Sequence, residues 1–152
     1  MITKGMMSSN TCEWETPQWL FDHFDKMFDF DLDVCATEKT AKVVNYFTKD
    51  DDGLQHLWSD SNWMNPPYGR EVVKWVKKAY EESLKGNMTV CLLPARPDTR
   101  WWHDYVMEAD VIHFIKGRLK FGNNNNSAPF PSCIVIFGLF NYERVKTKGR
   151  MI

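Results

Sequence analysis

Apolar and polar residues recur along the chain with two periods, one typical of strands and one typical of helices. Residues 28–34 place an apolar side chain at every second position with aspartates between them, which is the pattern of a strand. Residues 89–93 are continuously apolar, as expected for a strand that is covered on both faces. Residues 70–85 repeat apolar side chains at helical spacing and stop at Gly86, so they predict a helix.

The helix over residues 70–85 is predicted to bury one stripe and to expose charged pairs. Lys77 and Glu81 stand four residues apart, as do Lys78 and Glu82, and opposite charges at this spacing pair on the wet side of a helix. The predicted buried stripe consists of Val73, Val76, Tyr80 and Leu84.

Shorter patterns complete a series in which strands and helices alternate. Thr16-Pro17 predicts a helix start, with threonine as the N-cap and proline at the first helical position. A further helix is expected over residues 98–107, and strands are expected at residues 43–47, 62–64, 111–115 and 133–140. The series predicts an α/β domain, a three-layer sandwich around a mostly parallel (mixed) sheet.

Composition then narrows the class of protein. The 152 residues are 43% hydrophobic and 26% charged, which fits one globular domain and excludes a disordered or fibrous chain. We expect an N-terminal arm over residues 1–12, a single domain over residues 13–145 and a C-terminal tail over residues 146–152. No apolar run is long enough to span a membrane. The net charge of −1 predicts no general affinity for polyanions, so any nucleic-acid surface must be local.

The cysteines and histidines predict no metal site. Cys12, Cys35, Cys91 and Cys133 form no C-x-x-C pair, and no histidine pair has the spacing of zinc ligands. Four reduced thiols in a cytoplasmic protein are the better interpretation.

The sharpest chemical signal is the sequence Asn65-Pro66-Pro67-Tyr68, hereafter the tetrapeptide, between a predicted strand and a predicted helix. One interpretation is a rigid turn, because proline fixes φ and removes an N–H donor. The other is catalytic. The amide oxygen of Asn65 and the carbonyl of Pro66 can accept both hydrogens of an aromatic amino group and aim its lone pair at an electrophile, while Tyr68 stacks on the base.

The tetrapeptide resembles the catalytic motif of S-adenosylmethionine-dependent amino-methyltransferases, which act on adenine N6, cytosine N4 or protein glutamine. Further segments make the chain similar to the small phage-type DNA N6-adenine methyltransferases of the Dam group. These segments are EWETP (13–17), DLDVCA (31–36), YFT (46–48), DGL (52–54), LPAR (93–96), GRLKF (117–121) and APFPS (128–132). The resemblance implies a Rossmann-like fold, S-adenosylmethionine as the cofactor and DNA as the substrate.

The resemblance also implies a cofactor site at the carboxyl end of the first strand, where ligands bind in open α/β sheets. It implies that the Asp33 carboxylate attracts the cofactor's ammonium group and that Asp52 accepts a hydrogen bond from the cofactor's adenine. Thr16 as a plain N-cap, Asp33 as a solvent-facing strand residue and Asp52 as an ordinary turn residue remain alternatives. The cofactor-binding residues so implied are Glu15, Thr16, Pro17, Asp33, Val34, Cys35, Ala36, Asp52 and Asn65.

DNA contacts are expected from basic residues near the same predicted strand ends. The candidates are Arg70, Arg96, Arg118 and Lys120, each of which has the alternative of a solvated surface charge. The target base must leave the duplex to react, and Phe130 is either a second wall for that base or part of the core.

The expected activity is methyl transfer from S-adenosylmethionine to adenine N6 in DNA, without a metal. DNA cytosine-N4 methylation is the first alternative, because the same type of tetrapeptide serves both amino groups. A protein-glutamine methyltransferase leaves segments 117–121 and 128–132 unexplained. A non-catalytic nucleic-acid-binding module with a vestigial cofactor pocket is the alternative from another class, because residues 33–36 lack the usual Gly-rich turn.

Overall fold

The computed structural model of the protein describes residues 14–122 and 126–140. The expected arm over residues 1–12, with Cys12, and the expected tail over residues 146–152 lie outside the described residues. The expected domain limits therefore stay a prediction.

Five strands form one sheet in the order β1-β2-β3-β5-β4. Strands β1, β2 and β3 run parallel, whereas β5 is antiparallel to both of its neighbours. Strand β4 consequently runs in the same direction as β3, so the carboxyl ends of four strands lie at one edge of the sheet. The strands are β1 (Leu32–Asp33), β2 (Ser61–Met64), β3 (Met88–Pro94), β4 (Val111–Phe114) and β5 (Ser132–Phe137).

Helices pack against both faces of this mixed α/β sheet. In β3, Val90 and Leu92 belong to one hydrophobic cluster, which includes residues of helix α1 (Gln18–Phe28). Cys91 and Leu93 point the other way, into a second cluster with helices α2 (Val72–Leu84) and α3 (Arg100–Asp104). The continuous apolar run of residues 89–93 is thus a strand covered on both faces, as predicted.

The strand predicted over residues 28–34 is much shorter in the structure. Phe28 is the last residue of α1, and Asp29 follows in the left-handed conformation with φ 47°. Aspartate tolerates this conformation better than most residues. The chain turns there, and only Leu32–Asp33 pairs with β2. The alternation of apolar residues and aspartates over residues 28–34 therefore overestimated the strand, because Phe28 is buried as the last residue of a helix and not as part of a strand.

The buried stripe predicted for α2 was right for Val76 and wrong for Val73 and Leu84, which are 37% and 71% exposed. The residues that the helix buries are Val72, Trp75, Val76, Ala79 and Glu82. Glu82, expected on the wet side, is 0% exposed and accepts hydrogen bonds from the backbone N–H of Trp58 and from Asn87 Nδ2. The predicted pair with Lys78 is formed, with Lys78 Nζ 3.3 Å from Glu82 Oε2. The pattern of the helix could not show that Glu82 is buried, because Trp58 and Asn87 lie outside the helix.

The remaining elements agree with expectation except at two places. The strand predicted at residues 43–47 is reduced to one bridge between Asp33 and Tyr46. Thr16 does not cap α1, because the N-cap position is Pro17 and no side-chain capping bond is formed there. Confirmed with shifted ends are the strands near residues 62–64, 111–115 and 133–140 and the helix that starts after Thr99.

Candidate active site

The tetrapeptide leaves the carboxyl end of β2 and leads into a 3₁₀ turn before α2. Its two prolines are buried. Because proline has no backbone N–H, neither residue leaves an unsatisfied donor in the interior. The tetrapeptide is therefore a rigid turn, as the first interpretation states. This turn positions Asn65 and Tyr68 at the edge of the sheet where the carboxyl ends of four strands lie.

The side chain of Asn65 is held in one orientation by three hydrogen bonds. Its Nδ2 donates to the carbonyl oxygen of Trp14 and to Thr16 Oγ1, the latter at 3.0 Å. Its Oδ1 accepts the Tyr68 hydroxyl, also at 3.0 Å. A backbone carbonyl can only accept, so the NH₂ group must face Trp14 and the amide oxygen must face the other way.

The Tyr68 ring lies in the core rather than in the open. It is 6% exposed, and its hydroxyl also donates to the carbonyl of Leu92 at 3.3 Å. Burial raises the pKa of the Tyr68 hydroxyl well above 10. The ring meets Phe130 and Phe121 edge to face at centroid distances of 5.4 and 6.4 Å. A base that stacked on Tyr68 would have to displace these contacts.

An aromatic cluster therefore surrounds the tetrapeptide, and sequence reasoning found only part of it. Trp14 packs edge to face on Phe121 and Phe130 at 5.2 and 5.3 Å. Phe130 is 7% exposed, so it is part of the core, which is one of the two roles expected for it. Trp14 and Phe121 received no role from the sequence, although both lie in segments that carried the resemblance.

Asp33 is buried with one oxygen unpaired. It is 3% exposed; Oδ2 accepts the backbone N–H of Lys42 at 3.1 Å, whereas Oδ1 has no hydrogen-bond partner among the described residues. Burial raises the pKa of the Asp33 carboxyl from 3.8 to about 7, although the backbone N–H groups of Lys42 and Cys35 lower it. The solvent-facing alternative is wrong, and a cationic group is the natural partner for the unpaired oxygen.

Asp52 lies beside the end of β1 because the next residue is a glycine. A Cβ on Gly53 would collide with the carbonyl oxygen of Val34 and press on Trp75. Asp52 has φ 53°, and its Oδ1 accepts the N–H of Leu54 at 3.2 Å. The turn interpretation of Asp52 is thus correct, and the turn itself lies against the candidate cofactor residues.

Lys42, which sequence reasoning missed, joins the two groups of cofactor candidates. Its backbone N–H holds Asp33, while its Nζ lies 3.6 Å from Glu15 Oε2 and donates to Gln18 Oε1 at 2.9 Å. Pro17 is buried, whereas Cys35 and Ala36 are half-buried. The structure therefore brings the segment around Thr16 next to the end of β1. The same segment accepts the hydrogen bonds of the Asn65 amide.

The candidate DNA-binding residues follow the strands whose carboxyl ends share this edge. Arg70, Arg96, Arg118 and Lys120 are all exposed. The Arg96 guanidinium lies 6.0 Å from the centroid of the Phe130 ring, and Arg118 Nη1 donates a long bond of 3.5 Å to the carbonyl of Ala128. Their exposure fits both a solvated charge and a contact to phosphate.

A cavity of about 370 Å³ opens beyond the end of β3, and we call it the β3 cavity. Its wall includes Tyr68, Pro94, Arg96, Asp98, Trp101 and Phe130. Trp101 is half-buried and Trp102 is buried, so Trp102 is the member of this pair that points into the core.

Two further observations concern metal ions and membranes. Within residues 14–122 and 126–140, no group of three or more His, Cys, Asp or Glu side chains could hold a metal ion. No helix in the described part of the chain has both the length and the apolar character needed to cross a membrane.

Comparison with known proteins bears directly on the resemblance. The family model described as DNA N-6-adenine-methyltransferase (Dam) matches residues 5–147. The chain is 35% identical over 130 residues to the DNA N-6-adenine-methyltransferase of Haemophilus phage HP1 (strain HP1c1), which covers 82% of this chain and 75% of that protein. It is 29% identical over 109 residues to the DNA N-6-adenine-methyltransferase of Escherichia phage T1, covering 70% of this chain and 45% of that protein.

Proposed function

Since the chain belongs to the DNA N-6-adenine-methyltransferase (Dam) family, we propose that it methylates adenine N6 in DNA with S-adenosylmethionine as the methyl donor. The observation that carries the proposal is the Asn65 amide. It is held with its oxygen turned away from Trp14 and Thr16, at the strand edge where the candidate cofactor and DNA residues meet. The mixed sheet with helices on both faces supports a Rossmann-like, three-layer arrangement, with one domain over residues 13–145.

The residues at the end of β1 fit S-adenosylmethionine. The unpaired, buried Oδ1 of Asp33 would accept the ammonium group of the cofactor, which would relieve the cost of an unsatisfied carboxylate. Residues 34–36 and Asp52 would border the nucleoside, and residues 15–17 would flank the methionine end. When bound, the cofactor supplies a methyl group on a sulfonium, which is an excellent leaving group.

Asn65 orients the attacking amino group. Its Oδ1 and the carbonyl of Pro66 would accept the two hydrogens of adenine N6. A carbonyl oxygen has two lone pairs, so Oδ1 can serve N6 together with or in place of the Tyr68 hydroxyl. Because Trp14 and Thr16 hold the amide beforehand, little ordering is left for the moment of reaction, and positioning lowers the barrier.

The target adenine would leave the duplex and lie against Tyr68, with Phe130 as a second wall. Both rings are buried against each other in this structure, so the base must part them. The exposed arginines and lysine at the same edge would hold the phosphates on either side of the base. Within the described residues, Cys35, Cys91 and Cys133 carry thiols rather than disulfides, which fits a protein that works in the reducing cytoplasm.

Methylation of plasmid DNA followed by nucleoside mass spectrometry tests this function. The protein should produce N6-methyldeoxyadenosine, and Asn65→Ala should not. Asn45→Ala is the matched control, because the Asn45 side chain is exposed and its one hydrogen bond within the described residues is a long contact of 3.5 Å to the carbonyl of Asp31.

Two outcomes contradict the proposal in different ways. N4-methyldeoxycytidine in place of N6-methyldeoxyadenosine would assign the protein to cytosine. No methylated nucleoside, together with no heat on titration with S-adenosylmethionine, would indicate a binding module with a vestigial pocket.

A further inference from the structure

The methionine end of S-adenosylmethionine carries two opposite charges, an ammonium group and a carboxylate on the same carbon atom. A sheltered site for such a group needs an anion and a cation side by side, because a charge that leaves water must be paired. Asp33 provides the anion, since its buried Oδ1 has no hydrogen-bond partner among the described residues. With the ammonium group at this oxygen, the carboxylate of the cofactor still needs a cation.

Lys42 places a cation beside Asp33. Its backbone N–H donates to Asp33 Oδ2 at 3.1 Å, so the lysine side chain starts one hydrogen bond away from the carboxylate. That side chain is 9% exposed, which keeps most of it out of bulk water. Burial is the larger influence on the pKa of the Asp33 carboxyl, yet the positive charge of Lys42 lowers that pKa, so the two charges interact.

The protein satisfies the ammonium group of Lys42 only in part. This group donates one short hydrogen bond, to Gln18 Oε1 at 2.9 Å. Its contact with Glu15 Oε2 is long at 3.6 Å, whereas charge-assisted hydrogen bonds are typically about 2.7–2.9 Å. An ammonium group has three donors, so Lys42 can bind a further anion and keep its bond to Gln18. The Glu15 side chain is 36% exposed and can turn toward water when that anion binds.

The course of the Lys42 side chain matches the place that the methionine end must occupy. Asn65 Nδ2 donates to Thr16 Oγ1 at 3.0 Å, and Thr16 follows Glu15 in the chain. The Lys42 side chain therefore runs from the Asp33 carboxylate to the segment that orients Asn65. The methionine end is bonded to the same sulfur atom as the transferred methyl group, which must come close to Asn65. A carboxylate at Lys42 is thus on the side of the site where the methyl donor lies.

From these contacts we infer that Lys42 binds the carboxylate of S-adenosylmethionine while Asp33 binds its ammonium group. The inference rests on the proposed function and deepens it, because it adds a residue to the cofactor site. Glu15 competes with the carboxylate of the cofactor for Lys42, so the negative charge of Glu15 weakens the bound state. The pair of Asp33 and Lys42 favours a zwitterion over a ligand that carries an ammonium group alone.

Calorimetry with two ligands tests the inference. S-adenosylmethionine has both charges, whereas decarboxylated S-adenosylmethionine keeps the ammonium group and the sulfonium but lacks the carboxylate. The parent protein should bind the first ligand about tenfold or more tightly than the second, as one charge-assisted hydrogen bond provides. Lys42→Met keeps the length of the side chain and removes its charge, so it should reduce this preference to within about twofold.

Two further variants separate carboxylate binding from a structural role. Lys39→Met is the matched control, because Lys39 is an exposed lysine between the same two strands and should leave the preference unchanged. Glu15→Gln removes the competing charge and should increase the preference by up to about fivefold, the worth of a partly exposed charge pair. A lysine that only ties its loop to Glu15 would not give this increase. Circular dichroism shows whether each variant folds.

Three results would overturn the inference. The first is equal affinity of the parent for the two ligands. The second is a Lys42→Met variant that binds both ligands more weakly by the same factor, which would make Lys42 a structural residue only. The third is an unchanged or smaller preference in Glu15→Gln. No heat on titration of the parent with S-adenosylmethionine would instead contradict the proposed function.

Discussion

Replacing Asp33 by asparagine should make the free energy of unfolding of the protein less dependent on pH. In the unfolded chain this carboxyl has the ordinary pKa of 3.8, whereas burial raises its pKa in the folded protein to about 7. Between these values the unfolded state loses its proton while the folded state keeps it, so stability falls as pH rises. A difference of about three pKa units corresponds to roughly 4 kcal/mol, fully expressed above pH 7.

The variant Asp33→Asn carries no charge to titrate and so escapes this loss. Its amide oxygen can still accept the N–H of Lys42, while its NH₂ group adds a cost that does not depend on pH. The difference in unfolding free energy between variant and parent should therefore shift in favour of the variant by up to about 4 kcal/mol between pH 4 and pH 8. Urea denaturation followed by circular dichroism at four pH values measures it.

Asp31→Asn is the control, because Asp31 precedes β1 by one residue and is exposed. Partial burial also raises the pKa of Asp31, so Asp31→Asn should change the difference in unfolding free energy in the same direction, but far less because the side chain is exposed. A difference for Asp33→Asn that stays constant between pH 4 and pH 8 would refute the reasoning, because the carboxyl would then titrate alike in both states.

If Asp33 holds the cofactor as proposed, the same carboxyl should link pH to cofactor binding. Only an ionised Asp33 attracts an ammonium group fully, so the affinity of the parent for S-adenosylmethionine should rise as pH increases through about 7. Asp33→Asn should bind about tenfold or more weakly above pH 7, since a charge-assisted hydrogen bond is lost. Calorimetry at pH 6 and pH 8 tests both statements, and an equally tight variant would remove Asp33 from the cofactor site.

Three further predictions concern Asn65, the buried glutamate and the DNA-binding edge. Thr16→Val leaves a hydrogen of the Asn65 amide without its acceptor and should lower kcat by about tenfold, whereas Thr16→Ser should retain the rate; equal rates in both variants would contradict the positioning role. Glu82→Ala should destabilise the protein by roughly 2–3 kcal/mol in thermal unfolding because the backbone N–H of Trp58 loses its acceptor, while the exposed Glu81→Ala should change stability by less than about 0.5 kcal/mol. Replacing Arg118 and Lys120 together by alanine should flatten the log–log salt dependence of duplex binding by about two units, and an unchanged slope would place the DNA surface elsewhere.

Local sequence signals were reliable where one element decides its own structure. The apolar run of residues 89–93 carries its whole pattern within one strand. The pattern between the tetrapeptide and Gly86 predicted the helix itself, although not all of the residues that the helix buries. Motif order was equally informative, because the tetrapeptide and its companion segments pointed to the family that the comparison then showed. These features depend on neighbours in sequence, so the sequence by itself determined them.

Only the tertiary structure decided which polar groups are buried and what satisfies them. Asn65 is oriented by residues 49 and 51 positions earlier in the chain. Glu82 is buried against Trp58, and Asp33 is buried with one oxygen unpaired. Periodicity assigns a polar residue to the solvent side, because it cannot register a hydrogen-bond partner from another element. The roles of such residues are set by which segments meet at the strand edge, and that meeting exists only once the whole sheet has formed.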